Sequence, residues 1–263
     1  KNDLNVTSTY QISHDNINTN NAADTKVQEL NLASDFINYK LLHNFYNTSH
    51  KQEINLWPVF ERDIFPFLTI GTQNWLEDII KGLTSDVPRT PRGNVVSRNR
   101  RINYENQLTV LNERIEGLLG AIETNANKFL KDEFFESKDV IAVDLKFIKK
   151  FNFNKVRQRL WRDDMAYKRK EELQIKLSIK LKEENSNSWK IIHRPHSFLN
   201  EALLTRVAIA VRIGATQTRL ESLFKILVLD DMLISLDMSN RMDVMRIILN
   251  VNNKPELRFF DNF

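Results

Sequence analysis

The alternation of apolar and polar residues predicts β-strands in the second half of the chain. From 173 to 181, apolar residues fill the odd positions and mostly polar residues fill the even ones, which is the pattern of a half-buried strand. Residues 140–147 and 257–260 are predicted to form further strands. The unbroken run Ile226–Leu229 is too short for a helix and rich in branched side chains, so it predicts a strand buried on both faces.

Apolar residues at helical spacing predict two capped helices. Ser34 or Asp35 can cap the first, which runs through 36–46. Asn200 or Ser197 can cap the second. Its apolar face is formed by Leu203, Leu204, Val207, Ala208 and Val211, and Arg206 and Arg212 lie on the other side.

A third helical pattern has the 3-4 spacing of heptads. It extends over about two heptads, and its apolar positions are Leu108, Leu111, Ile115, Leu118 and Ile122. This spacing is typical of a coiled-coil segment, and it is equally typical of one amphipathic helix in a bundle. Both interpretations stay open on the pattern alone.

Composition divides the chain into five segments. Residues 1–33 are rich in Asn, Thr, Ser and Asp, which indicates a linker or a poorly ordered segment. Residues 34–85 are predicted to form a helical, aromatic-rich insert, whose aromatic side chains are more often core than platforms for bases. Residues 86–104 indicate a basic linker or chain break, 105–135 a coiled-coil stub, and 136–263 a C-terminal lobe.

Two adjacent carboxylates, Asp230 and Asp231, follow the buried apolar run directly. Open α/β sheets build ligand crevices where buried strands end. In nucleotide hydrolases an acid at such a place holds Mg²⁺, and a neighbouring carboxylate can position or deprotonate the attacking water. An acid pair after an apolar run also caps the following helix or lies in a solvated loop, so the pair alone does not decide between these roles.

Residues 197–249 resemble the C-terminal half of an ABC-type ATPase head. The likeness is to the SMC/RecF-like branch and related bacterial ATP-binding proteins, in which a signature helix precedes the Walker B strand and a D-loop follows it. The resemblance places the signature at Leu199, Asn200 and Glu201, where Asn200 would contact the γ-phosphate bound to the opposing head. The signature glycines of the family are replaced here by Glu201 and Ala202.

The same resemblance assigns roles to the acids. It implies that Asp230 is the magnesium ligand and that Asp231 is the catalytic carboxylate, one methylene shorter than the family's Glu. It places the D-loop at Leu236 and Asp237. The cofactors implied are ATP and Mg²⁺, and the implied partner is a second ATPase head, in a homodimer or a heterodimer.

A P-loop pattern, G-x-x-x-x-G-K-[ST], does not occur in the sequence. A nucleotide site needs its backbone amides and lysine to wrap the phosphates. Three explanations remain: a P-loop lobe that precedes residue 1, a P-loop on a separate subunit, or a degenerate head that binds no nucleotide. We expect the first, because the acid pair and the D-loop have little reason to persist together in a dead site.

Composition and charge bear on the partners. A chain without cysteine forms neither disulfides nor thiolate zinc sites, which fits a cytoplasmic location. No stretch approaches the about 20 apolar residues of a membrane span, so we expect no membrane partner. The net charge of +4 permits a nucleic-acid partner. A basic stretch with Arg157, Arg159 and Arg162 is the expected contact, although a solvated helix face has the same composition.

The sequence therefore predicts an α/β fold of the ABC/SMC-like P-loop ATPase head type, represented by its C-terminal lobe, with a helical insert and a short coiled-coil segment. The predicted function is ATP binding and hydrolysis in a head that dimerises around ATP and acts on DNA, in repair or phage defence, with an effector subunit as a further partner. The alternatives are a non-catalytic scaffold subunit with a degenerate ATPase fold, and a helical DNA-binding protein with an incidental acid pair.

Overall fold

The structure is a computed structural model that describes residues 34–38, 53–70, 74–88, 97–154, 159–160, 173–183, 188–218, 226–230, 241–243 and 245–246. Within these ranges it combines α-helices with four sheets, three of them antiparallel and one parallel. The mixed helix-and-sheet class expected from the sequence is confirmed at this level. The segments 1–33 and 257–260 lie outside the described residues.

Four α-helices with described ends and ten strands occur in the described residues, and residues 241–243 and 245–246 are also helical. The helices are α1 (Trp57–Asp63), α2 (Leu76–Ser85), α3 (Arg98–Phe129) and α4 (Glu201–Gln217). The strands are β1 (Ser34–Asn38), β2 (Ile54–Asn55), β3 (Thr69–Ile70), β4 (Asn74–Trp75), β5 (Ile141–Lys149), β6 (Phe153–Asn154), β7 (Arg159–Leu160), β8 (Gln174–Lys182), β9 (Trp189–Ile192) and β10 (Ile226–Asp230). Short 3₁₀ turns cover Phe65–Phe67 and Pro195–Ser197, and a π-helical turn, Leu130–Phe134, extends α3.

The largest sheet is built around β8. Strand β5 pairs with one edge of β8 along almost its whole length, while β2 and β9 pair with separate parts of the other edge. Val143 lies opposite Ile179, and Ile179 lies opposite Ile192. These apolar residues form the inner face of the sheet, so the alternation predicted for 173–181 and the strand predicted for 140–147 are confirmed.

Helix α3 lies along the outer edge of β5 and satisfies its backbone with side chains. The amide of Asn127 accepts a hydrogen bond from the Val143 N–H (2.7 Å) and donates one to the Val143 carbonyl (3.0 Å). Glu123 Oε2 accepts from the Leu145 N–H at 2.9 Å. Farther along, Asn112 makes the same reciprocal pair with Phe151 at 3.0 and 2.9 Å. A strand edge needs such partners when no further strand pairs with it.

The apolar stripe of α3 faces the core of its own chain. Its buried residues are Tyr104, Leu108, Leu111, Ile115, Leu119, Ile122, Ala126 and Phe129. Leu119 takes the buried position that the heptad spacing assigned to Leu118, which is only half-buried. The step from Ile115 to Leu119 follows the 3.6-residue period of a helix packed on a globular core. This packing agrees with a bundle helix, and the coiled-coil assignment of 105–135 stays a prediction.

The aromatic segment around α1 belongs to the core. The Trp57 ring stacks on Phe147 with centroids 5.6 Å apart and meets the edges of Phe65 and Phe151 at 5.4 and 5.5 Å. Trp57, Phe60 and Phe65 are all buried. Core packing, the more frequent role expected for such residues, is therefore what this segment shows.

The helix predicted from Ser34 is wrong at its start, because residues Ser34–Asn38 form strand β1. This strand pairs in parallel with β10, Ser34 lying opposite Ile226. A cap-like pair, Ser34 and Asp35, followed by two apolar residues fits either element over so short a stretch. Pairing with a distant strand decides the outcome, as tertiary contacts often override local preference.

Candidate functional site

Strand β10 ends at the first acid of the candidate site. The prediction of a strand over Ile226–Leu229 is confirmed, and Asp230 is the last residue of that strand. Its parallel neighbour β1 places Asn38 opposite Asp230. Because parallel strands end at the same edge of a sheet, an amide-bearing residue and an acidic residue come to one edge. In the described residues β10 has one neighbour, β1, and burial of β10 on both faces stays a prediction.

The other positions of the candidate site in this region lie outside the described residues. These are Asp231, Leu236 and Asp237, for which the resemblance implied catalysis and a D-loop. A short helix follows them in sequence, described at 241–243 and 245–246. The described residues that follow the acids in sequence are therefore helical.

The start of α4 is capped as predicted by Asn200. Its backbone is extended (φ −73°, ψ 167°), and its Oδ1 accepts a hydrogen bond from the Leu203 N–H at 2.9 Å. The Leu204 N–H donates to the Asn200 carbonyl at 3.1 Å, and Glu201 is the first helical residue. The helix cap uses the side-chain oxygen of Asn200 as an acceptor. An anion would need a hydrogen-bond donor, and the Nδ2 group of the same side chain can supply one. The two roles are chemically compatible.

The residues on either side of the cap differ in burial. Leu199 is buried, and its N–H donates to the Pro195 carbonyl at 2.7 Å, which fixes the chain entering α4. Phe198 is exposed to 60%. The three residues for which a signature was implied thus begin with a buried anchor, Leu199, and continue to an exposed cap, Asn200.

Arg206 connects α4 to the helix that follows the acids. Its Nη2 donates to Asp243 Oδ2 at 3.1 Å, and its Nη1 donates to the Phe134 carbonyl at 3.3 Å. The guanidinium also lies 5.3 Å from the ring centroid of Phe134 and 5.9 Å from that of Phe135. The Arg206 side chain is 19% exposed and that of Asp243 is 34% exposed. A half-buried charged pair therefore links the two elements that flank β10 in sequence.

Arg212 corrects the amphipathic description of α4. It is 3% exposed, although the sequence placed it on the polar side of the helix. Its Nη1 donates to the backbone carbonyl of Asp63 at the end of α1. Residues 207–215 are all buried, so α4 is enclosed on nearly every side. A helix enclosed in this way can keep an arginine where a carbonyl at another helix end receives it.

Asp63 receives a second arginine at its side chain. Arg62 donates to both carboxylate oxygens of Asp63, at 2.9 and 2.7 Å. These hydrogen bonds raise the pKa of Arg62 above its usual value. Arg62 itself is exposed. The Asp63 carbonyl, in contrast, binds the buried Arg212 and so helps to fix the position of α4.

No protein-family model matches the chain, and no curated protein or solved structure matches it either. The functional assignment therefore rests on the sequence patterns and on the geometry of the described residues.

A polar cluster that the sequence did not predict lies on the second face of the large sheet. Asp144 is buried and binds Lys180 Nζ at 2.7 Å and Lys146 Nζ at 3.4 Å. Beside it, the Ser178 hydroxyl lies 3.3 Å from His193 Nδ1. Ser178 is 2% exposed, so its hydroxyl is not open to a substrate, whereas His193 is exposed. In the sequence, the polar residues at the even positions of β8 have the pattern of an ordinary solvated strand face. The pairing with β5 is what brings Lys180 next to Asp144.

The basic stretch expected to contact nucleic acid is described in part. Arg159 lies in β7, opposite Asn154 of β6, while Arg157 and Arg162 lie outside the described residues. Among the residues described, no helix is both long and apolar enough to cross a bilayer. The described part of the chain also contains no group of three or more acidic or histidine side chains arranged for a metal ion.

Proposed function

We propose that the chain is part of an ATP-binding and hydrolysing head of the ABC/SMC-like type, which dimerises around ATP and acts on DNA. Asp230 is the magnesium ligand of this proposal, and Asp231 is the carboxylate that positions the attacking water. Asn200 serves the nucleotide of the opposing head, and Leu236 and Asp237 form the D-loop. The partner is a second head, and an effector subunit is a further partner.

The observation that carries the proposal is the pairing of β1 and β10. Strand β10, apolar in sequence, ends in Asp230 and has a parallel neighbour, so its carboxyl end meets that of β1. Ligand crevices of open α/β sheets lie at this place. An isolated acid pair after a helix, or after an exposed antiparallel hairpin, would not support the same conclusion.

The chemistry of the donor set fits the proposed cofactor. Mg²⁺ prefers oxygen ligands and is held by one or two carboxylates together with phosphates, which two adjacent aspartates can provide. When bound, it neutralises charge on the phosphates. Asp231 would hold the attacking water and accept its proton. The residues that wrap the phosphates must come from a P-loop outside this sequence.

The link between Arg206 and Asp243 supports coupling between the two half-sites. Helix α4 presents Asn200 to the opposing head, and the helix at 241–243 follows the proposed D-loop. A charged hydrogen bond at 3.1 Å joins them. A shift of the D-loop on hydrolysis would therefore act on α4 and on the cap that faces the partner.

A second candidate function is a scaffold subunit that keeps the fold without turnover. The observation that favours it is the absence of the P-loop pattern from the sequence. Turnover of ATP in the presence of the P-loop, in the same chain or on another subunit, distinguishes the two functions.

The test measures magnesium-dependent ATP binding and turnover with that P-loop present. Asp231→Asn should keep ATP binding and lower turnover by a factor on the order of 10²–10⁴, because the positioned base is lost. Asp230→Asn should weaken the magnesium-dependent binding itself. Negligible effects from both variants would favour the scaffold, and absence of ATP binding in the unaltered protein would contradict the proposal.

A further inference from the structure

The second face of the large sheet carries lysines and exposed apolar side chains together. Directly opposed residues of antiparallel strands share a face, and the register places Asp144 opposite Ser178, Lys180 opposite Ile191, and Lys182 opposite Trp189. The face therefore includes Lys146, Lys176, Lys180, Lys182, Trp189 and Ile191. We call it the lysine face.

The lysines of the lysine face outnumber the acids that contact them by one, because Lys146, Lys176, Lys180 and Lys182 stand against three carboxylates. Lys146 and Lys180 share one carboxylate, that of Asp144, which is 8% exposed. Lys176 pairs with Glu53 at 2.5 Å, and Glu123 of α3 lies 3.8 Å from Lys180. The side chain of Lys146 stays 64% exposed. Each of these carboxylates thus lies next to a lysine, and the ammonium group of Lys146 is also exposed to solvent.

Trp189 gives the lysine face a large exposed ring. It is 37% exposed and its neighbour on the same strand and face, Ile191, is 44% exposed. Lys182 Nζ lies 5.3 Å from the centroid of the Trp189 ring. An ammonium group and a partly exposed indole therefore occur side by side, on the paired strands β8 and β9.

The occupant that fits this arrangement is a single-stranded nucleic acid. Its phosphates suit the lysines, and its unstacked bases suit the indole face, whereas a duplex keeps its bases stacked inside. A peptide made of acidic residues alone would satisfy the lysines but would leave the Trp189 ring without a stacking partner. Charge and exposed ring together favour the nucleic acid.

We propose that the lysine face binds single-stranded nucleic acid, with Trp189 stacking on a base and Lys182 contacting the adjacent phosphate. The DNA partner comes from the proposed function, on which this inference rests for its biological setting. The surface itself needs no nucleotide cofactor. It is also separate from the basic stretch 157–162, which the sequence had indicated for such contacts.

The test is fluorescence anisotropy of a labelled oligo(dT) of about 16 nucleotides, a length within the range that one binding module covers. Oligo(U) and a duplex of the same length are the comparison ligands. Trp189→Ala should weaken oligo(dT) binding between about 5-fold and about 100-fold, and Trp189→Phe should keep most of the affinity because a ring remains. Duplex binding should be weaker and insensitive to Trp189→Ala.

The contribution of Lys182 is read from salt dependence. Lys182→Gln should lower the slope of log affinity against log salt by roughly 0.7, since one phosphate contact to a single strand is lost. Lys81→Gln on α2 is the charge-matched control; this side chain is 67% exposed and lies outside the lysine face. Val110→Ala on α3, 43% exposed, is the control for loss of an exposed apolar group. Both controls should bind like the unaltered protein.

Several outcomes overturn the inference. These are unaltered oligonucleotide binding by Trp189→Ala and Lys182→Gln, absence of binding by the unaltered protein, or loss of binding with Arg159→Gln alone. Preferential binding of a poly-glutamate peptide would identify a protein partner in its place. ATP turnover, measured in parallel, separates the two proposals. Turnover with no Trp189 effect removes this inference only, and a Trp189 effect without ATP binding removes only the proposed function.

Discussion

Gly214 of α4 packs directly against Ala126 of α3. A Cβ placed on Gly214 would lie 2.8 Å from the Ala126 backbone nitrogen, 3.1 Å from its Cβ and 2.7 Å from the Ile122 carbonyl oxygen. Two of these atoms belong to the backbone and cannot move away as a side-chain end can. Beside this crossing, Asn125 Nδ2 donates to Thr218 Oγ1 at 3.1 Å. The crossing thus fixes α4, and with it the cap at Asn200, relative to α3.

Gly214→Ala should therefore lower the free energy of unfolding by about 1–3 kcal/mol, because an extra methyl group forces the two helices apart. Urea unfolding followed by circular dichroism measures the change. Gly117→Ala on α3 is the matched control, since nothing lies within 4 Å of a Cβ there. That control should raise stability by about 0.5–1 kcal/mol through the helix preference of alanine. Equal effects of the two variants would contradict the close crossing.

The cap at Asn200 offers a way to separate structure from function. Asn200→Asp keeps an acceptor for the Leu203 N–H and suits the helix dipole, so thermal stability should stay within about 0.5 kcal/mol. The added carboxylate would oppose a γ-phosphate of the opposing head. ATP-dependent dimerisation should then weaken by more than about tenfold, as like charges at an interface do.

Light scattering with and without ATP and Mg²⁺ measures that dimerisation, in an Asp231→Asn background and with the P-loop present. Asn200→Arg, which adds bulk at the same position, should also abolish the dimer. Normal dimerisation of both variants would show that Asn200 is only a helix cap. Asn200→Ala measures the contribution of the cap to stability, and the free energy of unfolding should fall by about 1 kcal/mol.

The pair of Arg206 and Asp243 should show measurable coupling. A double-mutant cycle with Arg206→Gln and Asp243→Asn is expected to give a coupling energy of about 1 kcal/mol, after solvent screening of a pair that is partly exposed. Chemical unfolding of the four proteins provides the numbers. A coupling energy near zero would mean that the 3.1 Å contact does not hold the 241–243 helix to α4.

Asn127 should matter more than other polar residues of α3. Asn127→Ala leaves the Val143 N–H and carbonyl without their side-chain partner, and we expect a loss of about 1–3 kcal/mol. Thr124→Ala is the control, because the Thr124 hydroxyl is exposed and bonds only within its own helix, to the Gly120 carbonyl. Its effect should stay within about 0.5 kcal/mol. Thermal unfolding monitored by circular dichroism compares the two.

The strands with strong patterns could be predicted from the sequence. The alternation in β8 reflects burial on one face, and the unbroken apolar run of β10 is too short for a helix, so each pattern carries its own structural information. The cap of α4 was predictable because Asn200 acts on its own helix, three residues away. Local chemistry of this kind does not depend on the rest of the fold.

What failed depends on contacts between distant residues. Ser34–Asn38 is a strand because it pairs with β10, nearly two hundred positions later. Arg212 is buried because the Asp63 carbonyl receives it, and a helical wheel does not show that partner. The side chains of Asn112, Glu123 and Asn127 repeat at helical spacing, which was a usable signal for a polar contact. Such a stripe usually faces water, so the pattern alone could not assign it to a strand edge.

The side chains of α3 that bond to the edge of β5 also bear on aggregation of the protein. An uncovered edge of a sheet is a template on which other chains can add strands and begin fibrils. Here Val143 and Leu145 are already bonded to Asn127 and Glu123, so no foreign strand can add at that point without first displacing α3. Helix α3 thereby protects this strand edge from intermolecular strand pairing.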